Sequence, residues 1–158
     1  MSAPSWWTDS PPWAHVIPSD APTSPKEALP PSGSIFVARM QGQDMLDADG
    51  VFTQFYEHLR LPDYFGWNWD ALNDCLSDLH WITARRYLLI VDDSEYLLSQ
   101  SPDERPILLR ILLKSAEHWA RKPDFPGQPK SVLRTIFLCR PDLSPELQEE
   151  FSRIQDMA

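Results

Sequence analysis

LPDYFGWNWDALNDCLSDLHW, residues Leu61 to Trp81, changes character halfway along. Gly66 and Asn68 favour a tight turn over its first part. From Asn68, a residue that caps helices well, Trp69, Leu72, Leu76 and Leu79 recur every three or four positions along one buried helical face. The opposite face carries Asp70, Asp74 and Asp78, spaced four apart, and the whole stretch holds no Lys or Arg, the nearest being Arg60 and Arg85. Such an arrangement is poor for stability. Like charges at i and i+4 cost about 0.2–0.5 kcal/mol per pair, Asp is a weak helix former, and Asp78 near the helix end opposes the macrodipole.

Outward from this helix the period alternates. Tyr87 to Val91, YLLIV, is a continuous apolar run suited to a central strand covered on both faces. On the other side, Phe52, Phe55, Tyr56 and Leu59 form a helical stripe after Asp49, a candidate N-cap, with an end expected near Pro62. Before it, Ser34 to Met40, SIFVARM, has strand composition. A short helix is expected over Ser94–Gln100, a longer one from about Asp103 to Arg121, a loop at PDFPGQP, a strand over Ser131–Cys139 and a terminal helix over Ser144–Ile154. Strands separated by helices imply parallel pairing through right-handed crossovers, hence an α/β fold with a three-stranded parallel sheet packed with helices.

The boundaries expected are a Pro/Trp-rich N-terminal extension over residues 1–32, a core domain over 33–140 and a C-terminal tail, helical, over 141–158. The extension holds eight of the 16 prolines and only four charges, so it should form neither helix nor central strand. Trp6, Trp7 and Trp13 are costly to leave in water, which makes Trp13 to Ile17, WAHVI, the stretch expected to lie ordered on the domain.

At 158 residues the chain fits one core. Its net charge of -9 disfavours direct binding to nucleic acid or anionic lipid. Residues 33–140 hold 15 acids and 12 bases, so only -3 of that charge belongs to the domain and the acidic helix is a local focus. The opening residues show no Lys or Arg and no apolar run of signal or membrane length, so a cytoplasmic location is expected. Cys75 and Cys139 read as buried reduced thiols, and His15, His58, His80 and His118 as scattered surface residues outside any metal motif. No GxSxG, GxxxxGK[ST] or GxGxxG sequence is present, and neither catalysis nor a metal or other cofactor is expected.

A solvated acidic face is the bland reading of Asp70, Asp74 and Asp78. Tyr64, Phe65, Trp67 and Trp69 weigh against it, because a charged face rimmed by Tyr and Trp resembles an interface anchor. The segment reads as a rigid acidic and aromatic patch suited to a cationic partner.

Leu61 to Leu76 resembles the signature of the barstar family of intracellular ribonuclease inhibitors: Leu-Pro, an acid, two aromatics, Gly, any residue, Asn, an apolar residue, Asp-Ala-Leu, any residue, Asp-Cys-Leu. The order of elements agrees over about residues 34–139. The resemblance implies an immunity protein, not an enzyme, that binds a small basic, barnase-like ribonuclease one-to-one and places carboxylates where RNA phosphates would sit. It assigns the partner surface to Tyr64, Gly66, Asn68, Trp69, Asp70, Ala71, Asn73, Asp74, Ser77 and Asp78. Asp74 would be the central carboxylate and Asp70 its companion; Tyr64 would pack on the rim, Gly66 and Asn68 would shape the loop, and Ala71 would allow close approach. Ser77 matches a position that usually bears a small hydroxyl. Asn73 stands where some members carry Trp, Asp78 replaces the usual Gly, and Leu79–Arg86 is longer. For the family's further acidic contact, on the last long helix, the nearest alignment offers Ser115, with Glu117 two residues away. A barstar-fold interaction or regulatory domain that binds another basic partner is the alternative, and a metal-dependent hydrolase using Asp70 and Asp74 a more distant one.

Overall fold

A computed structural model describes residues 13–20, 35–121 and 132–156. In chain order the elements are β1 (Ala14–Pro18), β2 (Ile35–Gln41), α1 (Ala48–His58), α2 (Trp69–Asp78), β3 (Arg86–Asp92), α3 (Arg105–Arg121), β4 (Val132–Cys139) and α4 (Ser144–Asp156). All sheet pairings are parallel, in the order β1-β4-β3-β2. The sheet therefore has four strands where three were expected. WAHVI supplies the extra one: β1 pairs with β4 from Ala14 opposite Thr135 to Pro18 opposite Cys139. The edge position explains how a proline-rich sequence can hold a strand, since an edge strand leaves one row of N–H groups unpaired and tolerates Pro18 at its end. Trp13 also anchors this segment, its ring lying 5.0 Å from the guanidinium carbon of buried Arg134. Trp6, Trp7 and the PDFPGQP loop lie outside the described residues.

Side chains alternate along the strands. Leu89, Val91, Leu133 and Phe137 pack with the helices in the main core, whereas Leu88, Ile90, Ile136, Leu138 and Ile17 form a smaller cluster. Alternation places that cluster on the opposite sheet face. α4 is integral to the main core: Leu147, Phe151 and Ile154 are buried there, with the Phe151 ring 4.9 Å from that of Phe137.

Three further expectations are corrected. α1 is capped by Asp47, not Asp49; Asp47 has the extended backbone a cap requires and accepts a hydrogen bond from the Gly50 N–H at 2.9 Å. The helix expected over Ser94–Gln100 is only a 3-10 turn, Ser94–Tyr96, because Asp93 and Leu98 take left-handed backbone conformations on either side of it. His15 is half-buried on β1, and burial, aided by the Arg134 charge, lowers its pKa to about 4. His58, His80 and His118 are exposed.

Candidate functional site

α2 begins where Asn68 adopts an extended backbone and turns its side chain to two tasks. Its Oδ1 accepts from the Ala71 N–H at 2.8 Å, and its Nδ2 donates to the Gly66 carbonyl at 3.1 Å. One residue thus fixes both the first turn of the helix and the loop before it. A Cβ at Gly66 would lie 3.2 Å from Asn68 Nδ2, so a larger residue there would require the capping side chain to shift by a few tenths of an ångström.

The loop rests on an aromatic cluster. Phe52 of α1 meets Phe65 and Trp69 edge-on at 5.9 and 4.9 Å, and Trp67 lies 5.4 Å from both Tyr56 and Phe65. Trp67 has a positive φ of 53°, a conformation that costs a bulky residue about 1–3 kcal/mol and persists only where packing enforces it. Although held from below, the Trp67 side chain is 47% exposed and Tyr64 is 69% exposed. Two large rings therefore stand at the rim of the acidic helix.

Along α2, Leu72, Cys75 and Leu76 face the core while Asp70, Asp74 and Asp78 are exposed. The three carboxylates are not equivalent. α2 ends at buried Leu79, whose left-handed backbone turns the chain back, and His80 Nδ1 comes to 2.8 Å from Asp78 Oδ2. Asp78 is engaged locally, whereas Asp70 and Asp74 form no ion pair among the described residues. Burial, reinforced by the Asp74 and Asp78 charges, pushes the Cys75 thiol up, so beneath this face it stays protonated and inert. Both cysteines are buried and unbridged.

Two indoles fix α2 against α3. Trp69 Nε1 donates to Glu104 Oε1 at 3.2 Å just before α3 begins, and Trp119 Nε1 donates to the Leu76 carbonyl at 2.8 Å near its end. Start meets start and end meets end, so the helices run side by side in the same sense. Trp69, half-buried, is thus a brace, and Ala71, Asn73 and Ser77 are half-buried on the flanks of the acidic row.

On α3, Ser115 is fully buried, and Glu117 pairs with Arg121 at 2.7 Å. The groove between α2 and α3 is bordered instead by Arg110 and Lys114. Neither these cations nor Trp67 was among the expected contact residues. Trp67 was visible as part of the aromatic group, and the i, i+4 spacing of Arg110 and Lys114 was the available signal on α3.

Among the described residues no group of three or more His, Cys, Asp or Glu side chains could hold a metal ion. No helix among them is long and apolar enough to cross a membrane. No curated protein matches the sequence. The family model described as Barstar (barnase inhibitor) matches residues 35–127, from β2 through α3, leaving β1, β4 and α4 outside the match. This span covers more than half of the 158 residues and contains both the aromatic loop and the acidic helix. The chain belongs to the barstar family.

Proposed function

We propose that this protein is a cytoplasmic inhibitor of a small basic ribonuclease of the barnase-like class, an immunity protein that binds one-to-one and has no turnover of its own. The observation that carries this reading is the pair of exposed carboxylates, Asp70 and Asp74, without ion-pair partners among the described residues, on a helix fixed by its cap and two indole hydrogen bonds. Carboxylates held in this way would occupy the places of RNA phosphates in a cationic catalytic site. Asp74 lies at the centre of the row, Asp70 extends it one turn toward the loop, and Asp78, engaged by His80, contributes less. Tyr64 and Trp67 would cover the rim and exclude water from the charge pairs. Gly66 and Asn68 set the loop, Trp69 braces the helix, and Ala71, Asn73 and Ser77 present a low flank that permits close approach. Complementary charge would give fast capture, and desolvated pairs slow release.

Titration of the protein into ribonucleases of this class, with a fluorescent RNA substrate, tests the reading. A sharp equivalence point near one inhibitor per nuclease is expected. Unchanged hydrolysis with every member, at inhibitor concentrations well above that of the nuclease, would refute it.

A further inference from the structure

The groove beside the acidic row has the opposite polarity on its second wall. Arg110 and Lys114, four residues apart on α3, are exposed and form no ion pair among the described residues. Trp69, Asp70 and Asn73 line the α2 side, and Ile107 and Ile111 line the α3 side together with the two cations. Its volume is about 170 Å³, below the roughly 300 Å³ where small-molecule sites begin and suited to a single inserted side chain. The face therefore has two adjoining strips: carboxylates along α2, cations along α3, with an apolar seam between.

A partner surface that is cationic throughout would be attracted by the first strip and repelled by the second. We propose that Arg110 and Lys114 are specificity-determining residues, and that the groove seats an Asp or Glu side chain that the partner ribonuclease carries beside its cationic site. This rests on the inhibitor reading above. Two features favour a carboxylate as the occupant. Arg110 and Lys114 supply two donors within one helical turn. Trp69, Ile107 and Ile111 would shield the stem of the inserted side chain and lower the local dielectric, which strengthens the charge pair. Asp70, on the facing wall, opposes the carboxylate with one charge against the two of Arg110 and Lys114, so the inserted group would turn toward α3. The same geometry rejects an inserted Lys or Arg, because it would meet two like charges at the mouth. Specificity would then come from repulsion of the wrong partner as much as from attraction of the right one.

The experiment uses the full chain and the double variant Arg110→Glu/Lys114→Glu against barnase-like ribonucleases with, and without, an Asp or Glu on the rim of the cationic site. Dissociation constants are measured by calorimetry, and thermal melts confirm folding. For a nuclease with a rim carboxylate, the reversal is expected to weaken binding about 100-fold or more; for a wholly basic rim it should strengthen binding about tenfold. Should the reversed chain fail to fold, Arg110→Gln/Lys114→Gln is expected to move both affinities in the same directions by about threefold to tenfold. Capture that Asp74→Ala weakens by about 30-fold or more but both double variants leave unchanged would overturn the groove assignment alone. Failure of every chain to capture any member would overturn the inhibitor reading and the groove assignment with it.

Discussion

Replacing Asp74 by Ala separates what α2 does for folding from what it does for binding. Asp74 is exposed at mid-helix, with Asp70 one turn before it and Asp78 one turn after. The change removes a repulsive i,i+4 pair with Asp70, worth about 0.2–0.5 kcal/mol, and a smaller one with Asp78, whose charge His80 already engages. It also exchanges a weak helix former for the strongest, a further few tenths of a kcal/mol. The free protein should gain about 0.5–1 kcal/mol, seen as a rise of about 1–4 °C in melting temperature for a chain of this length. In the complex the same truncation would leave a buried cationic pocket unpartnered, at a cost of about 2–5 kcal/mol, mostly through faster dissociation. Affinity should drop between about 30-fold and several-thousand-fold. Leu72→Ala is the control of opposite kind. Leu72 is fully buried, so its loss should destabilise the fold by about 2–5 kcal/mol and leave the contact surface chemically intact. Thermal melts and stopped-flow dissociation rates measure both variants. A lower melting temperature for Asp74→Ala together with unchanged nuclease affinity would refute the assignment of this helix to partner binding.

Other consequences follow from the same geometry. If Asp70 and Asp74 steer encounter, the association rate should fall steeply as the Debye length shortens from about 30 Å at 0.01 M salt to about 10 Å at 0.1 M, and a flat stopped-flow profile would reduce the acidic row to solvated surface. Asn68→Ala removes both the cap bond to Ala71 and the tie to Gly66; a loss of about 1 kcal/mol is expected in urea unfolding, with Asn68→Asp restoring the cap bond but not the tie, since a carboxylate has no donor for the Gly66 carbonyl. His15 has a pKa lowered to about 4 by burial and Arg134, so its neutral form belongs to the fold and its stabilisation, present above about pH 6.5, is lost as pH falls from there toward 4. Partial exposure limits this to about 1–2 kcal/mol, and His15→Gln should flatten that part of the pH–stability curve if the assignment holds.

Elements whose causes are local were legible in the sequence. α2 has its cap, its apolar stripe and its charged face within Asn68–Leu79, and β3 is a continuous apolar run; both occur where the pattern puts them. β1 was hidden for a physical reason. Five residues between prolines have no strand signature of their own, and the strand exists because β4 offers a free edge, which only the assembled sheet supplies. The same distinction applies to the site. The row Asp70, Asp74 and Asp78 follows from helical spacing, but the engagement of Asp78 by His80 depends on the left-handed turn at Leu79, which a leucine seldom adopts. The cations beside Asp70 come from a helix more than thirty residues later, and their position was set by how α3 packs on α2, not by anything near the signature.

That packing also explains how a helix so poorly suited to stability could serve as the proposed binding edge. Asp70 and Asp74 repel each other, and Asp78 sits at the end of the helix where the dipole disfavours it. A helix with these defects would fray if it depended on its own propensity, since tertiary packing supplies most of the stability of short helices. Here Leu72 and Leu76 are fully buried, Asn68 closes the first turn, and the indoles of Trp69 and Trp119 tie the two ends to the neighbourhood of α3. Each restraint lies on the inner face or the flank, so none consumes the Asp70 or Asp74 carboxylate. The backbone that carries the acidic groups is thus fixed before any partner arrives, and little helix or loop entropy would remain to be lost on docking. A flexible loop with the same three aspartates would carry the same charge and suffer no helical repulsion, but it would have to be ordered at the moment of binding. Placing the charges on a braced helix moves that cost from the complex to the folding of the free protein, where Leu72, Leu76, Asn68 and the two indoles offset it.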